Sequence, residues 1–409
     1  MYKNMLAEKY QNRRNPYLEP FSSMDQMSKY LKKGKLLLGF EHDSHSKVWK
    51  YDIDKPVYIK MPKYSPSPPA IVIIGARGGS KTSTVMNMVW QAHMQGLPVF
   101  GIDPKCTMAK YTKPQSKYEY KETLSKLGID PLGLDIYTIT PEFLKGAKRY
   151  RKTNKFYSLS KKDFDNILDY SFRRLLFYHF IDVDSRSEDS GAMRIMAVWK
   201  YARTFNELRP IAEQMTESKA KLVFEKLKVL VGDSVLEGDS LESFDIGNII
   251  NEHILLMQCS LARGESRSSG HVSVMIQKLR ELAEKGHFKG KTVFFVGEEI
   301  DVLLRKGTPS AEQLNFIYSK DRENGIAPCF VLQNPKDAQI SSFTQSDYLI
   351  TPALRRGTPE FDLLKQFTTN SNAERAIRLK SFGLIKEQML VEDYEDATAY
   401  IPLISPCNA

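Results

Sequence analysis

The sequence predicts an α/β fold built around a mostly parallel sheet with helices on both faces, a helical insertion, and small β elements at both ends. Three observations lead there. Short apolar runs rich in β-branched residues recur along the chain. Stretches of helical periodicity separate several of them, the alternation that feeds a parallel sheet. One run leads at once into a glycine loop and an amphipathic helix, which gives the sheet a functional edge.

That run is Ala70 to Ile74, five apolar residues that read as a buried strand. Gly75-Ala76-Arg77-Gly78-Gly79-Ser80-Lys81-Thr82-Ser83 follows. Val85, Met88, Val89 and Ala92 then fall at the i, i+3, i+4, i+7 spacing of one helix face. Strand, glycine loop and helix start bring bare backbone N–H groups and the positive end of a helix dipole to one point, which suits a polyphosphate. The stretch reads as a P-loop for ATP, with Lys81 reaching the β- and γ-phosphates and the Thr82 hydroxyl binding Mg²⁺. Ser80 departs from the pattern, which wants glycine before the lysine because a Cβ there crowds the phosphates. The competing reading is a tight turn that binds nothing.

Composition sets the limits. Apolar residues make up 42% of the 409 and charged residues 26%, a globular balance. No run of about 18 apolar residues is present, so no membrane span is expected. The first residues lack the apolar core of a signal peptide. Cys106, Cys259, Cys329 and Cys407 are far apart and match no metal spacing, and are read as reduced thiols in a cytoplasmic protein, in the host's cytoplasm if the protein is viral. The seven histidines form no ligand motif. A net charge of +10 favours a polyanionic partner, most often nucleic acid.

Taken in order, residues 1–35 form a polar, basic arm with a helix expected near Met24–Leu31. Leu36–Gly39, Val48–Asp52 and Val57–Ile59 read as short strands of a small β element over 36–64. Ser65–Pro69 is an extended linker, since proline cannot pair in a central strand. The P-loop half of the core then occupies 65–144, with further strands at Val99–Ile102, ending in Asp103-Pro104-Lys105, and at Ile136–Ile139. Residues 145–162 carry eight Lys and Arg and no acid, with Tyr150, Phe156 and Tyr157 interleaved. That mixture suits backbone contact plus base stacking, or a solvated loop. It opens a basic and helical insertion over 145–250, helical in pattern from Asp163 to Leu230.

Residues 251–409 form the second half of the core. Ile254–Met257 reads as a strand, Arg263–Ser269 as a polar segment, and Val272–Ala283 as a helix. Thr292–Val296 is a strongly apolar strand followed by Gly297-Glu298-Glu299-Ile300-Asp301. A carboxylate at the C-terminal end of such a strand is expected beside the P-loop, on a strand neighbouring Ala70–Ile74. There it can hold Mg²⁺, and a neighbouring glutamate can polarise the attacking water. The usual form is four apolar residues, then Asp-Glu. On that alignment Gly297 takes the aspartate's place, Glu298 becomes the catalytic glutamate, and the metal carboxylate is either missing or supplied by Glu299 or Asp301, with Glu298 beside Glu299 as a further candidate. An acidic helix start is the plain alternative. Cys329–Leu332 is the next strand; Gln333 stands where it leaves the sheet, placed to sense a γ-phosphate. Tyr348–Ile350 and a C-terminal hairpin (Leu384-Ile385, Met389–Val391, Tyr400–Leu403) complete the pattern.

In this order the pieces resemble the FtsK–HerA superfamily of DNA-pumping ATPases, over residues 36–405. The marks are Leu38-Gly39 with Val48–Asp52 ahead of the P-loop, Asp103-Pro104-Lys105, the acidic strand end at Glu298, and Arg322-x-x-Gly-Ile-x-x-x-Phe-Val-Leu-Gln-Asn-Pro335. The resemblance implies a RecA-like P-loop core, a homo-hexameric ring around double-stranded DNA, and coupling to a capsid portal or a membrane pore protein. It also implies that Arg322 completes a neighbour's site in trans and that Gln333 is the sensor. Lys81, Glu298, Arg322 and Gln333 are then the catalytic set, with Thr82, Glu298 and Glu299 around the metal. Ser80 and Gly297 both touch the phosphate and metal region, which leaves a rival: a nucleotide-binding scaffold that couples DNA without hydrolysis. A small-molecule P-loop kinase explains neither the Arg322–Gln333 segment nor the basic charge.

Overall fold

The computed structural model describes residues 29–42, 51–75, 80–104, 107–141, 155–157, 246–258, 265–288, 290–304, 308–333, 346–352, 354, 358–369, 372–373, 376, 389–393 and 397–408. Residues 24–28 of the expected N-terminal helix, almost all of the basic segment, the helical run 163–230, the loop positions 76–79 and Leu384-Ile385 lie outside them, and residues 29–31 are turn and irregular chain rather than helix.

β1 (Lys35–His42) and β2 (Tyr51–Lys60) come first, and β3 (Ile71–Ile74) leads into α1 (Lys81–Met94). β4 (Val99–Asp103), β5 (Lys113–Pro114), α2 (Tyr118–Lys126), β6 (Ile136–Pro141) and β7 (Lys155–Tyr157) follow. The second half runs α3 (Ile246–Glu252), β8 (Ile254–Gln258), α4 (Glu265–Glu284), β9 (Val293–Gly297), α5 (Pro309–Ser319) and β10 (Ile326–Leu332). It ends with β11 (Tyr348–Pro352), α6 (Pro359–Phe367), β12 (Met389–Glu392), β13 (Ala397–Pro402) and β14 (Cys407–Asn408).

Among the described residues twelve strands make one sheet, in the order β2-β1-β13-β12-β11-β3-β10-β9-β4-β8-β6-β7. From β11 to β7 every pairing is parallel, and from β2 to β11 every pairing is antiparallel. The β elements at the two ends of the sequence therefore zip together, Gly39 opposite Pro402, and extend one side of the core sheet. Tyr51 and Asp52, the described part of the expected strand Val48–Asp52, and Val57–Ile59, expected as a separate strand, are joined in β2. Its Pro56 is tolerated because β2 is the sheet's edge, where a missing N–H costs no ladder bond.

The parallel strands β3, β4, β8, β9, β10 and β11 are buried on both faces. Ile71, Ile73, Val296, Cys329 and Val331 share a core with Val85, Met88 and Val89 of α1. On the other face, the rings of Phe100, Phe295, Phe330 and Tyr318 (from α5) pack in series at 5.3–5.8 Å between centroids. Thr308 and Thr358 cap α5 and α6, each accepting from the third residue on, with proline at the first helical position. α4 starts at Glu265, seven residues before the expected Val272. The polar stretch before Val272 is its first turns, where buried Ser269 accepts at its carbonyl from the Ser273 hydroxyl one turn on.

α1 has a second, polar stripe that is also buried. Gln91 accepts from the Leu37 N–H at 2.7 Å and donates to the Leu37 carbonyl at 2.9 Å, as a strand would. Gln95 does the same for Gly34 N–H and Lys35 carbonyl at 2.9 and 2.8 Å, and Asn87 donates to the Leu403 carbonyl. At about 1 kcal/mol net for each such bond, this stripe fixes the P-loop helix to the antiparallel extension. Cys329 and Cys407 are buried free thiols, and burial pushes Cys407 up to about 12.

Candidate nucleotide site at the C-terminal edge of the sheet

β3 and β9 are not neighbours. β10 lies between them, which corrects the expectation that Lys81 and Glu298 sit on adjacent strands. Alternation within a strand records which face a residue takes, and carries no record of strand order. The two sites still meet, because the start of α1 lies across the strand ends. The Thr82 hydroxyl donates to Glu298 Oε1.

Alternation also sets the register of the acidic strand end. Gly297 pairs with Ile102 and Phe330, on the aromatic face away from α1. A Cβ there would lie 2.7 Å from Ile300 Cγ2 and 3.3 Å from Phe330 Cδ1, so this position has no room for an aspartate. Val296 and then Glu298 face α1. The carboxylate that meets the P-loop threonine is thus one residue later than the alignment on Gly297 expects. Glu298 is 2% exposed, and its second oxygen accepts from the Thr107 hydroxyl at 2.7 Å. Its own N–H donates to the Ile102 carbonyl at 3.0 Å.

Ser80 and Glu299, with φ of 57° and 49°, are the non-glycine residues in left-handed backbone among the described residues. Each costs about 1–3 kcal/mol of strain and survives because its surroundings enforce it. Both flank Thr82 and Glu298. Ser80 therefore departs from glycine at a position whose backbone conformation favours glycine, quite apart from phosphate crowding. Its side chain does not cap α1, and its carbonyl accepts from Thr84 N–H at 2.9 Å.

Gly75 lies where the Pro352 ring comes down on the loop; a Cβ would stand 2.3 Å from Pro352 Cγ and 3.6 Å from Lys81 Cδ. The Lys81 stem passes over this glycine and is 6% exposed. Ala76, Arg77, Gly78 and Gly79 lie outside the described residues.

On the far side, Gln333, turned so that its amide nitrogen faces the acid, donates to Glu299 Oε1 and Oε2 at 3.1 and 3.2 Å. The Gln333 N–H is held by both oxygens of Asp301, at 3.1 and 2.9 Å. Asp301, one of three candidates for the metal carboxylate, thus anchors the exit of β10.

Arg322 is elsewhere. It precedes β10, at the N-terminal edge of the strands, whereas Thr82 and Glu298 are at the C-terminal edge. It pairs with Asp347 at 2.6 Å and donates to the Pro68 carbonyl at 2.8 Å. The same Asp347 oxygen accepts from Ala70 N–H at 2.7 Å, so the group staples the starts of β3, β10 and β11. Within one chain Arg322 does not join the site.

Two residues at the site were not singled out by the sequence. Thr107 opens the turn after β4, and Tyr111 lies 3.4 Å from the Ser83 hydroxyl, oxygen to oxygen. Burial raises the Tyr111 phenol above its ordinary value, the Ser83 bond opposes this, and the nearby Glu298 carboxylate adds to it. Asp103-Pro104-Lys105 was the available signal, because Asp103 caps this turn through Thr107 N–H at 3.0 Å and Met108 N–H at 2.8 Å.

The Thr82 hydroxyl at a helix start, beside the Glu298 carboxylate and the buried Lys81, offers hard oxygens that suit Mg²⁺ with a nucleotide. The fold is of the RecA-like P-loop NTPase kind, a mixed α/β core on a large, mostly parallel sheet. No protein-family model and no curated protein matches the chain. Among solved structures it is similar to VirB4 of Thermoanaerobacter pseudethanolicus, with a TM-score of 0.56 and 15% identity over 90% of this chain and 96% of that one. It is also similar to the bacterial conjugative coupling protein TrwB, with a TM-score of 0.50 and 13% identity over 94% and 92% of the two chains. Both similarities are of fold, and at that level they agree with the RecA-like P-loop core that the motif resemblance implies. No described helix is long and apolar enough to cross a membrane.

Proposed function

We propose that the chain is an ATP-driven motor that moves double-stranded DNA, working as a homo-hexameric ring. The observation that carries the reading is the bond from Thr82 to Glu298, made across the ends of non-adjacent strands beside Lys81 and two strained residues. In this reading the first-turn N–H groups of α1 and the Lys81 ammonium hold the β- and γ-phosphates. Thr82 and Glu298 hold Mg²⁺, which when bound neutralises charge developing on the phosphate oxygens. Glu299, one residue beyond the position first assigned to the catalytic glutamate, orients the attacking water. Gln333 holds Glu299 and lies where a γ-phosphate would compete for its amide. Arg322 acts on a neighbouring subunit's nucleotide, and to do so it exchanges Asp347 for phosphate. The +10 charge and the fold neighbours, one of them a conjugative coupling protein, support DNA as the polymer. A capsid portal or a membrane pore protein would then anchor the ring.

The rival, a nucleotide-binding scaffold without turnover, is favoured by the Arg322–Asp347 pair, which leaves the proposed trans arginine engaged at home. Phosphate release measured with and without duplex DNA separates the two. The motor gives DNA-stimulated release that Glu299→Gln abolishes, whereas release at background in the wild-type protein, with nucleotide bound, establishes the scaffold.

A further inference from the structure

We infer that Thr107 is a positioning residue for the metal-holding carboxylate, an inference that rests on the nucleotide site proposed above. Glu298 is buried, and a buried carboxylate oxygen without a donor is costly. One oxygen is served by Thr82 and the other by Thr107. A hydroxyl has one proton and two lone pairs. Thr82 can therefore keep its proton on Glu298 Oε1 while turning a lone pair to a cation. Among the described residues it is then Thr107 that fixes the second oxygen, and with it the carboxylate's rotation.

The surrounding turn is arranged for that bond. Asp103 Oδ1 lies 3.4 Å from the Thr107 hydroxyl, a local partner four residues away, yet the short bond goes to Glu298, 191 residues along the chain. Asp103 is already engaged by the N–H groups of Thr107 and Met108, which holds the turn and aims the hydroxyl at Glu298. Residues that orient a ligand group in this way are worth about 10- to 100-fold in metal affinity.

The test is the affinity of the full chain for a non-hydrolysable ATP analogue, by calorimetry, with Mg²⁺ and with EDTA. Thr107→Val keeps the shape and removes the proton. It is expected to lower the gain from Mg²⁺ about tenfold or more, leave the EDTA affinity as in wild type, and be rescued by Thr107→Ser. An unchanged gain in Thr107→Val, an equal loss with and without Mg²⁺, or no rescue by serine overturns the inference. Lys81→Ala and Glu298→Gln in the same assay test the site itself. If both bind as wild type, the site reading fails as well; if both lose affinity while Thr107→Val keeps its full gain, only the role of Thr107 fails.

Discussion

The two ends of the parallel strands are built on opposite principles. At the N-terminal edge, Arg322, Asp347, Ala70 and Pro68 satisfy one another and tie three strand starts together. At the C-terminal edge, Ser80 and Glu299 are held in left-handed backbone, and a buried carboxylate rests on two hydroxyls, one of which, that of Thr82, has a lone pair to turn to a cation. One edge is closed and relaxed, and the other is strained and lined with exchangeable groups. Strain and exchangeable bonds mark the end proposed to bind, and complete pairing marks the end that holds. The difference also frames the difficulty in assigning Arg322 to catalysis, since its charge is already used where it stands.

The largest expected effect is at the strained edge. Lys81→Ala should reduce ATP turnover to background while the circular dichroism of the fold is retained; turnover near wild type would remove the edge from catalysis. Glu299→Gln should lower kcat by about 10²–10⁴ with nucleotide still bound, the range for loss of a general base. Glu298→Gln should instead show its loss in Mg²⁺-dependent binding. If the two glutamines behave in the reverse sense, the register assigned to the acidic strand end is wrong.

At the closed edge, Arg322→Ala should destabilise the isolated subunit by about 1–3 kcal/mol, since Asp347 loses a charge-assisted bond. Denaturant unfolding measures this. In assembled rings the same variant should also lose activity, with partial rescue when mixed with wild-type subunits. A stability loss with no such rescue would leave Arg322 as a staple only. The smallest effect is expected from Ser80→Gly, which relieves a left-handed serine and should gain about 1 kcal/mol against unfolding. A loss there would mean that the serine hydroxyl makes contacts worth more than the strain.

The sequence alone determined the strands of the core, the P-loop helix, and the identities of Lys81, Thr82, Glu298 and Gln333 as candidates. These are local properties, since burial on both faces demands continuous apolar runs and a phosphate cradle demands glycines next to a helix start. Tertiary structure decided that β10 separates β3 from β9, that Gly297 faces away from α1, and that β1 and β13 join across the whole length of the chain. It also brought Thr107 to Glu298 and closed Arg322 onto Asp347. Alternation and spacing say which face a residue takes and where an element ends. Which strands lie side by side, and which distant donor reaches a buried carboxylate, is settled only when the whole sheet closes its hydrogen bonds at once.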